Sequence, residues 1–203
     1  GYVALGLFQD QQDIDNHVAQ SFGEVRPGDI KYKDLNDDGI IDVNDQQMIG
    51  NYTSRVEMGL HVSLSYKSFE LFALGRGQFG ADGAYSGSYY WVRGDDKYSN
   101  FVLDRWTPET AETAKYPRLT TTTGSNNFRN STYWQYNTDR FSLQTVQLNY
   151  TFSDMSFIGL NEARFFLRGN NLVMLSGMND VLNLRIGSAP NMRSFSTGVN
   201  LQF

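Results

Sequence analysis

From Val56 the chain alternates over a long stretch. Val56, Met58, Leu60, Val62, Leu64 and Tyr66 fall on one side, and Glu57, Gly59, His61, Ser63, Ser65 and Lys67 on the other. A period of two sustained that far predicts a strand. A tight turn at Lys67 and Ser68, followed by a second apolar stretch from Phe69 to about Phe79, completes a hairpin. The end of the chain repeats the pattern, with Phe195, Thr197, Val199, Leu201 and Phe203 alternating with Ser196, Gly198, Asn200 and Gln202. Between these lie Val146, Leu148, Tyr150 and Phe152 against Gln147, Asn149 and Thr151, then Ala163, Phe165 and Leu167 against Arg164, Phe166 and Arg168. Phe141 to Thr145 extend the first of these upstream, and a change of phase at Thr145 and Val146 predicts a bulge.

Two architectures use such strands. A soluble sandwich packs the apolar face on a second sheet, and its strands centre on about 5 to 6 residues. A transmembrane barrel turns that face to lipid, and its strands need about 9 to 11. The predicted strands reach the longer figure, and their polar side is Ser, Gly, Asn and Gln more than Lys and Glu. Connection lengths favour the barrel. Short turns follow Tyr66 and Phe152 (the latter over 153–161), while long segments run over 9–54, 80–140 and 174–192. Short turns at one end and long loops at the other is the outer-membrane arrangement, and long structureless connections are uncommon in compact soluble domains. With the last strand running inward, all three long segments are expected outside the cell.

Composition agrees with β structure. The 203 residues include 12 Tyr, 14 Phe, 3 Trp and 19 Gly, with only 4 Pro. A net charge of −5 without a basic cluster argues against nucleic acid, whose affinity rests on neutralising phosphates. The absence of cysteine excludes disulfides and thiolate metal sites. The chain starts at Gly1, with no initiator Met and no signal-peptide pattern, so it is expected to be a fragment or the mature end of something longer.

One stretch carries metal chemistry. "DLNDDGIIDVND", residues 34–45, has the oxygen-donor spacing of an EF-hand loop at its first, third, fifth, seventh, ninth and twelfth positions. These are Asp34, Asn36, Asp38, the Ile40 carbonyl, Asp42 and Asp45, with Gly39 at the turn and Ile41 at the apolar eighth place. Asp45 stands where an EF-hand has Glu, so it reaches an ion with a shorter arm. Four carboxylates without a cation would repel one another, so a structural Ca²⁺ is expected, stiffening an outer loop over 27–50. The competing reading is an acidic surface turn without an ion. "GRGQFG", 75–80, fits G-x-G-x-x-G, and acids at Asp95 and Asp96 follow about 20 residues on. No helical period follows it, so the phosphate would lack a helix N-terminus; glycines at a strand exit are expected instead. His17 and His61 are isolated, and no nucleophile constellation occurs, so no enzyme is expected.

Five segments in order, "PGDIKYKDLNDDGIIDVNDQQMIGN" (27–51), "RWTPET" with "YPRL" (105–119), "FSLQTVQLNYTFS" (141–153), "ARFFLRGNNLVML" (163–175) and "SFSTGVNLQF" (194–203), resemble the C-terminal part of the SusC/RagA family of TonB-linked outer-membrane transporters. The resemblance implies an all-β fold: the C-terminal strands of a large antiparallel transmembrane β-barrel with long extracellular loops at 27–50 and 80–140. It implies a plug domain outside this sequence, a SusD-like surface lipoprotein as partner, and import of oligosaccharides or peptides driven through TonB. Six or so strands cannot close a barrel of about 22, so the remainder of the barrel must be supplied from elsewhere.

Aromatics crowd the longest loop at Tyr85, Tyr89, Tyr90 and Trp91, and again at Tyr133, Trp134 and Tyr136. Flat rings stack on the apolar faces of sugars, whose hydroxyls need partners such as Arg93, Asp95, Asn126 and Asn127. Tyr89, Tyr90, Trp91, Arg93 and Trp134 are therefore candidate ligand contacts. The alternative is an outer aromatic girdle, or burial against the partner lipoprotein. A second function class, an extracellular calcium-dependent binding or adhesion module built as a soluble sandwich, stays open at this point.

Overall fold

A computed structural model of the chain describes residues 1–94, 96–120, 126–155, 159–186 and 188–203. In chain order its elements are β1 (Ala4–Leu7), α1 (Gln11–Asp15), β2 (Ala19–Gln20), β3 (Ile30–Tyr32), β4 (Ile40–Ile41), β5 (Val56–Tyr66), β6 (Phe69–Phe79), β7 (Asp82–Ala84), β8 (Gln135–Asn137), β9 (Arg140–Met155), β10 (Leu160–Leu175), α2 (Asn179–Leu184) and β11 (Ser194–Gln202). They form two compact units, residues 1–50 with 83–136, and residues 51–82 with 137–203.

The second unit is one antiparallel sheet in the order β11-β10-β9-β6-β5, with every neighbour consecutive among these long strands. Its strands are 9, 16, 16, 11 and 11 residues long in that order, matching or exceeding the bilayer length inferred from alternation. The turn between β5 and β6 places Lys67 at φ 54, left-handed backbone that lets two residues reverse the chain. The pairing of β9 skips Gln144 against β6, between Leu143 and Thr145. The bulge therefore sits one residue before the predicted change of phase. At Gly75, on the other side of this pair, a Cβ would come within 2.4 Å of the Phe141 ring, so the glycine makes room for an aromatic. Gly80, at φ 77, ends β6, which is the strand exit expected of the "GRGQFG" glycines.

The two faces of this sheet differ. Met58, Leu60 and Leu64 of β5, Leu148 and Phe152 of β9, Phe165 and Leu167 of β10, and Phe195, Val199 and Leu201 of β11 are all exposed. Leu60, Leu148 and Leu201 are open to 51%, 41% and 52%, with no second layer of this unit over them. Alternation puts Glu57, Arg76, Gln147 and Arg168 on the opposite face.

The first unit differs from the structureless loops expected at 27–50 and 80–140. Its two chain segments pack on one core of Tyr2, Leu7, Phe22, Ile30, Tyr32, Ile41, Val92, Val102, Tyr116, Phe128 and Trp134. Backbone bonds tie the segments, Tyr2 N donating to the Asn130 carbonyl at 2.9 Å and Thr132 N to the Tyr2 carbonyl at 3.0 Å. Short pairings, β1 with β3 and β2 with β4, add to these bonds within the first segment. Burial of large side chains from both segments offsets the entropy of ordering about a hundred residues of irregular chain.

Candidate functional site

The loop at 34–45 closes on itself through its own carboxylates. Asp34 accepts from the amides of Asp37 at 2.8 Å and Gly39 at 3.0 Å. Asp38 accepts from the Ile40 amide at 3.0 Å and from Asn36 Nδ2 at 2.9 Å. Asp42 accepts from the Asn44 amide at 2.7 Å. Gly39 takes φ 85, the sharp turn that the sixth place of such a loop requires. Ile41, at the apolar eighth place, is fully buried in the core, and β4 there pairs in parallel with β2.

Asp45 is the anchor. It is fully buried, and its two oxygens accept from the amides of Leu35 at 2.7 Å and Asp42 at 2.8 Å. Burial pushes its carboxyl up, but the amides of Asp42, Leu35 and Asn36 and the Asp34 side chain outweigh it, and the group is held below the usual carboxylate range. All six donors are hard oxygens, the chemistry calcium takes. Among the described residues, however, no three acidic or histidine side chains converge on one point as metal ligands. The carboxylates turn to backbone amides here.

The aromatic residues fall into two environments. Trp134 is only 2% exposed, and its indole Nε1 donates to the Asn127 carbonyl at 2.8 Å. Trp91 is half-buried against Phe128 and Trp134, with ring centroids 6.1 Å apart in both cases. Tyr90 is half-buried in a ring cluster with Tyr85, Tyr89 and Phe101. Burial, with the neighbouring Tyr136, Tyr85 and Tyr89 hydroxyls, pushes Tyr90 up to about 12, so it stays protonated as a donor. Tyr89 and Arg93 are exposed, and the Arg93 guanidinium lies 5.4 Å from the Trp91 ring centroid. Of the five predicted ligand contacts, the structure thus leaves Tyr89 and Arg93 on the surface, Tyr90 and Trp91 at its edge, and Trp134 inside.

Asn126 and Asn127 are buried and committed to the protein. Gln20 Nε2 donates to Asn126 Oδ1 at 2.7 Å, the Ile30 amide donates to Asn127 Oδ1 at 2.8 Å, and Asn127 Nδ2 donates to buried Asp29 at 2.8 Å. Asp29 also pairs with Arg118 at 2.7 Å. Buried amides are expected to be satisfied in this way. Asp95 lies outside the described residues. His17 Nε2 sits 2.8 Å from the Tyr32 carbonyl, a packing role.

In the sheet unit the polar face carries two cross-strand ladders that a reading of single strands does not reveal. Arg168 Nε donates to Gln147 Oε1 at 2.6 Å, Gln147 Nε2 to Asn149 Oδ1 at 2.6 Å, and Asn149 Nδ2 to Glu70 Oε2 at 3.0 Å. Nearer the start of β9, Arg140 donates to Gln78, Gln78 Nε2 to Glu57 Oε1 at 2.8 Å, and Arg76 to Glu57 Oε2 at 2.9 Å. The only signal in the sequence was amide and guanidinium side chains at alternate positions; their partners depend on register. The ladders tie these polar side chains to one another along that face.

No protein-family model matches the chain. Over its whole length the chain is 30% identical to the TonB-dependent receptor P26 of Formosa agariphila and 23% identical to the TonB-dependent receptor P3 of the same organism. It spans 22% of the length of each. Its backbone matches the RagAB peptide transporter at a TM-score of 0.71 and the RagAB peptide importer in the open-open state at 0.70, both at 17% identity over the whole chain and 22% of theirs. The fold is that of the RagAB structures, mostly strands, with the sheet left open over this length of chain. The homologues are TonB-dependent receptors, as the SusC/RagA resemblance implied, and with them the chain is a piece of an outer-membrane β-barrel. Among the described residues no helix is long and apolar enough to cross a membrane, which says nothing of strands.

Proposed function

With TonB-dependent receptors as its homologues, we infer that this chain is the C-terminal barrel portion of an outer-membrane importer of oligosaccharides or peptides. It works with a SusD-like surface lipoprotein and draws energy through TonB, which contacts a part of the protein outside this sequence. The carrying observation is the two-faced sheet: apolar side chains exposed across its strands on one face, polar ladders on the other. An exposed apolar face of that extent is costly in water and favourable in hydrocarbon, while a laddered polar wall suits a hydrated lumen. The outer edges of β5 and β11 carry unpaired amides and carbonyls among the described residues, and within a bilayer these need strands from the remainder of the barrel.

Deleting the gene for the full-length transporter should abolish uptake of labelled oligosaccharides or of labelled peptides, and wild type should restore it only in cells with active TonB. Undiminished uptake of both ligand types after deletion would sink the reading.

Within that function, Tyr89, Tyr90, Trp91 and Arg93 supply ligand contacts from the surface and edge of their cluster, and Trp134 holds Trp91 from the core. The 34–45 loop is a structural calcium site held by Asp34, Asn36, Asp38, the Ile40 carbonyl, Asp42 and Asp45. Support comes from the all-oxygen donor set, the Gly39 turn and the buried Ile41. The ion would neutralise the acids and brace the loop, with an affinity on the order of 10⁻⁴ to 10⁻³ M as in other extracellular modules. Chelator should speed proteolysis within 27–50 in wild type and leave the Asp34→Ala/Asp38→Ala variant, already cut fast, unchanged. Equal cutting of wild type with and without chelator refutes a structural ion.

A further inference from the structure

The polar face of the sheet opens where two irregularities meet. The pairing of β9 with β10 skips Gln144 on one strand and Asn171 and Leu172 on the other. Asn171 sits at φ 53 and donates through Nδ2 to the Met192 carbonyl at 3.2 Å, which fixes the segment leading into β11 beside the bulge. On the other flank, Ser176 Oγ donates to the Asp139 carbonyl at 2.7 Å and accepts from the Met178 amide at 3.1 Å, seating the start of α2. Bulges re-aim side chains and recur beside functional sites.

Between these parts lies a cavity of ≈ 680 Å³, lined by Arg76, Arg140, Arg193, Asn179, Asn183 and Asn191 among others. Its described lining holds three arginines, no acid and no aromatic ring. Arg76 and Arg140 are partly occupied by the ladder through Glu57 and Gln78. Arg193 is exposed and has no hydrogen bond or ion pair among the described residues. Asn179 Oδ1 is buried without a partner, an acceptor waiting for a donor. Guanidinium forks match a carboxylate, and carboxamides match peptide N–H and C=O groups at once. The site has no flat ring on which a sugar face could stack.

We propose that this cavity receives the carboxylate end of an oligopeptide, with Arg193 as the free guanidinium and the asparagines on the adjoining amides. The proposal rests on the importer reading and narrows its substrate to peptide at this subsite. The test is calorimetric titration of the full-length transporter with an octapeptide of alanine and serine bearing a free C-terminal carboxylate, with the same peptide as its C-terminal amide, and with tetragalacturonate. The free acid should bind tighter than the amide by about tenfold or more, the size of one lost charge-assisted bond. Arg193→Gln should weaken the free acid far more than the amide and bring the two forms within about threefold of each other; Arg193 lies outside both ladders, so the fold should persist.

Equal binding of acid and amide by wild type, an undiminished preference in Arg193→Gln, or no peptide binding at all overturns the proposal. Tighter, Arg193-dependent binding of tetragalacturonate also overturns it, in favour of an acidic saccharide. Each of these outcomes leaves the importer reading to the separate uptake experiment, so the two failures are distinguishable.

Discussion

The two units use similar side chains in opposite ways. Residues 1–50 with 83–136 bury Trp134, Tyr32, Tyr116 and Phe8, whereas residues 51–82 with 137–203 display Tyr66, Phe69, Phe152 and Phe195. The first unit has a core because its aromatics come together from two distant segments. The second has none of its own among its described residues, because period-two alternation sends most of its apolar side chains to the same side of a single sheet. An aromatic-rich composition therefore marks neither a soluble core nor a membrane face. The partner of each ring decides, whether another ring or a lipid chain.

The largest effect that would break this contrast is expected at Trp134. Trp134→Ala should destabilise the first unit by about 3–5 kcal/mol through the cavity it leaves. Hydrogen exchange on the full-length protein should then show amides of 1–50 and 83–136 losing protection while those of β5, β6, β9, β10 and β11 keep theirs. Loss across both units alike would mean that the sheet depends on the first unit's core.

A somewhat smaller effect tests the other side. Leu148→Arg places a charge on the apolar face and should cost about 2–4 kcal/mol in a bilayer if it lies near the midplane. Ser63→Arg, on the polar face, should cost almost nothing. Thermal unfolding of the reconstituted barrel, followed by its heat-dependent gel shift, compares the two; equal costs would remove the hydrocarbon from the argument.

The smallest effect sharpens the picture of the first unit. Asp45 has a lowered carboxyl value in the folded chain, so below the unfolded value of about 3.9 the unfolded state binds more protons. Its contribution to stability is present above that value and disappears as pH falls through the lowered one. Exchange protection at the Leu35 and Asp42 amides should hold at neutral pH and fade in acid, and Asp45→Asn should remove the pH dependence.

The strands were legible because their signal is local. Val56 to Tyr66 and Ser194 to Gln202 alternate without a break, and Lys67 with Ser68 leaves no room for more than a turn. The predicted bulge fell within one residue of Gln144 for the same reason: a change of phase is written in adjacent residues. In the acidic loop, spacing fixed the turn at Gly39 and the burial of Ile41, again over a few residues.

What only the tertiary structure decided is non-local. No period in 1–50 or 83–136 announces that the Ile30 amide will donate to the Asn127 side chain, or that Asn126 and Asn127, exposed-looking in a loop, will be buried. Such bonds join residues far apart in sequence, and each exists only once the rest of the core has excluded water from it. The ladders and the arginine-lined cavity depend likewise on register and on two bulges falling side by side, which no single strand can encode.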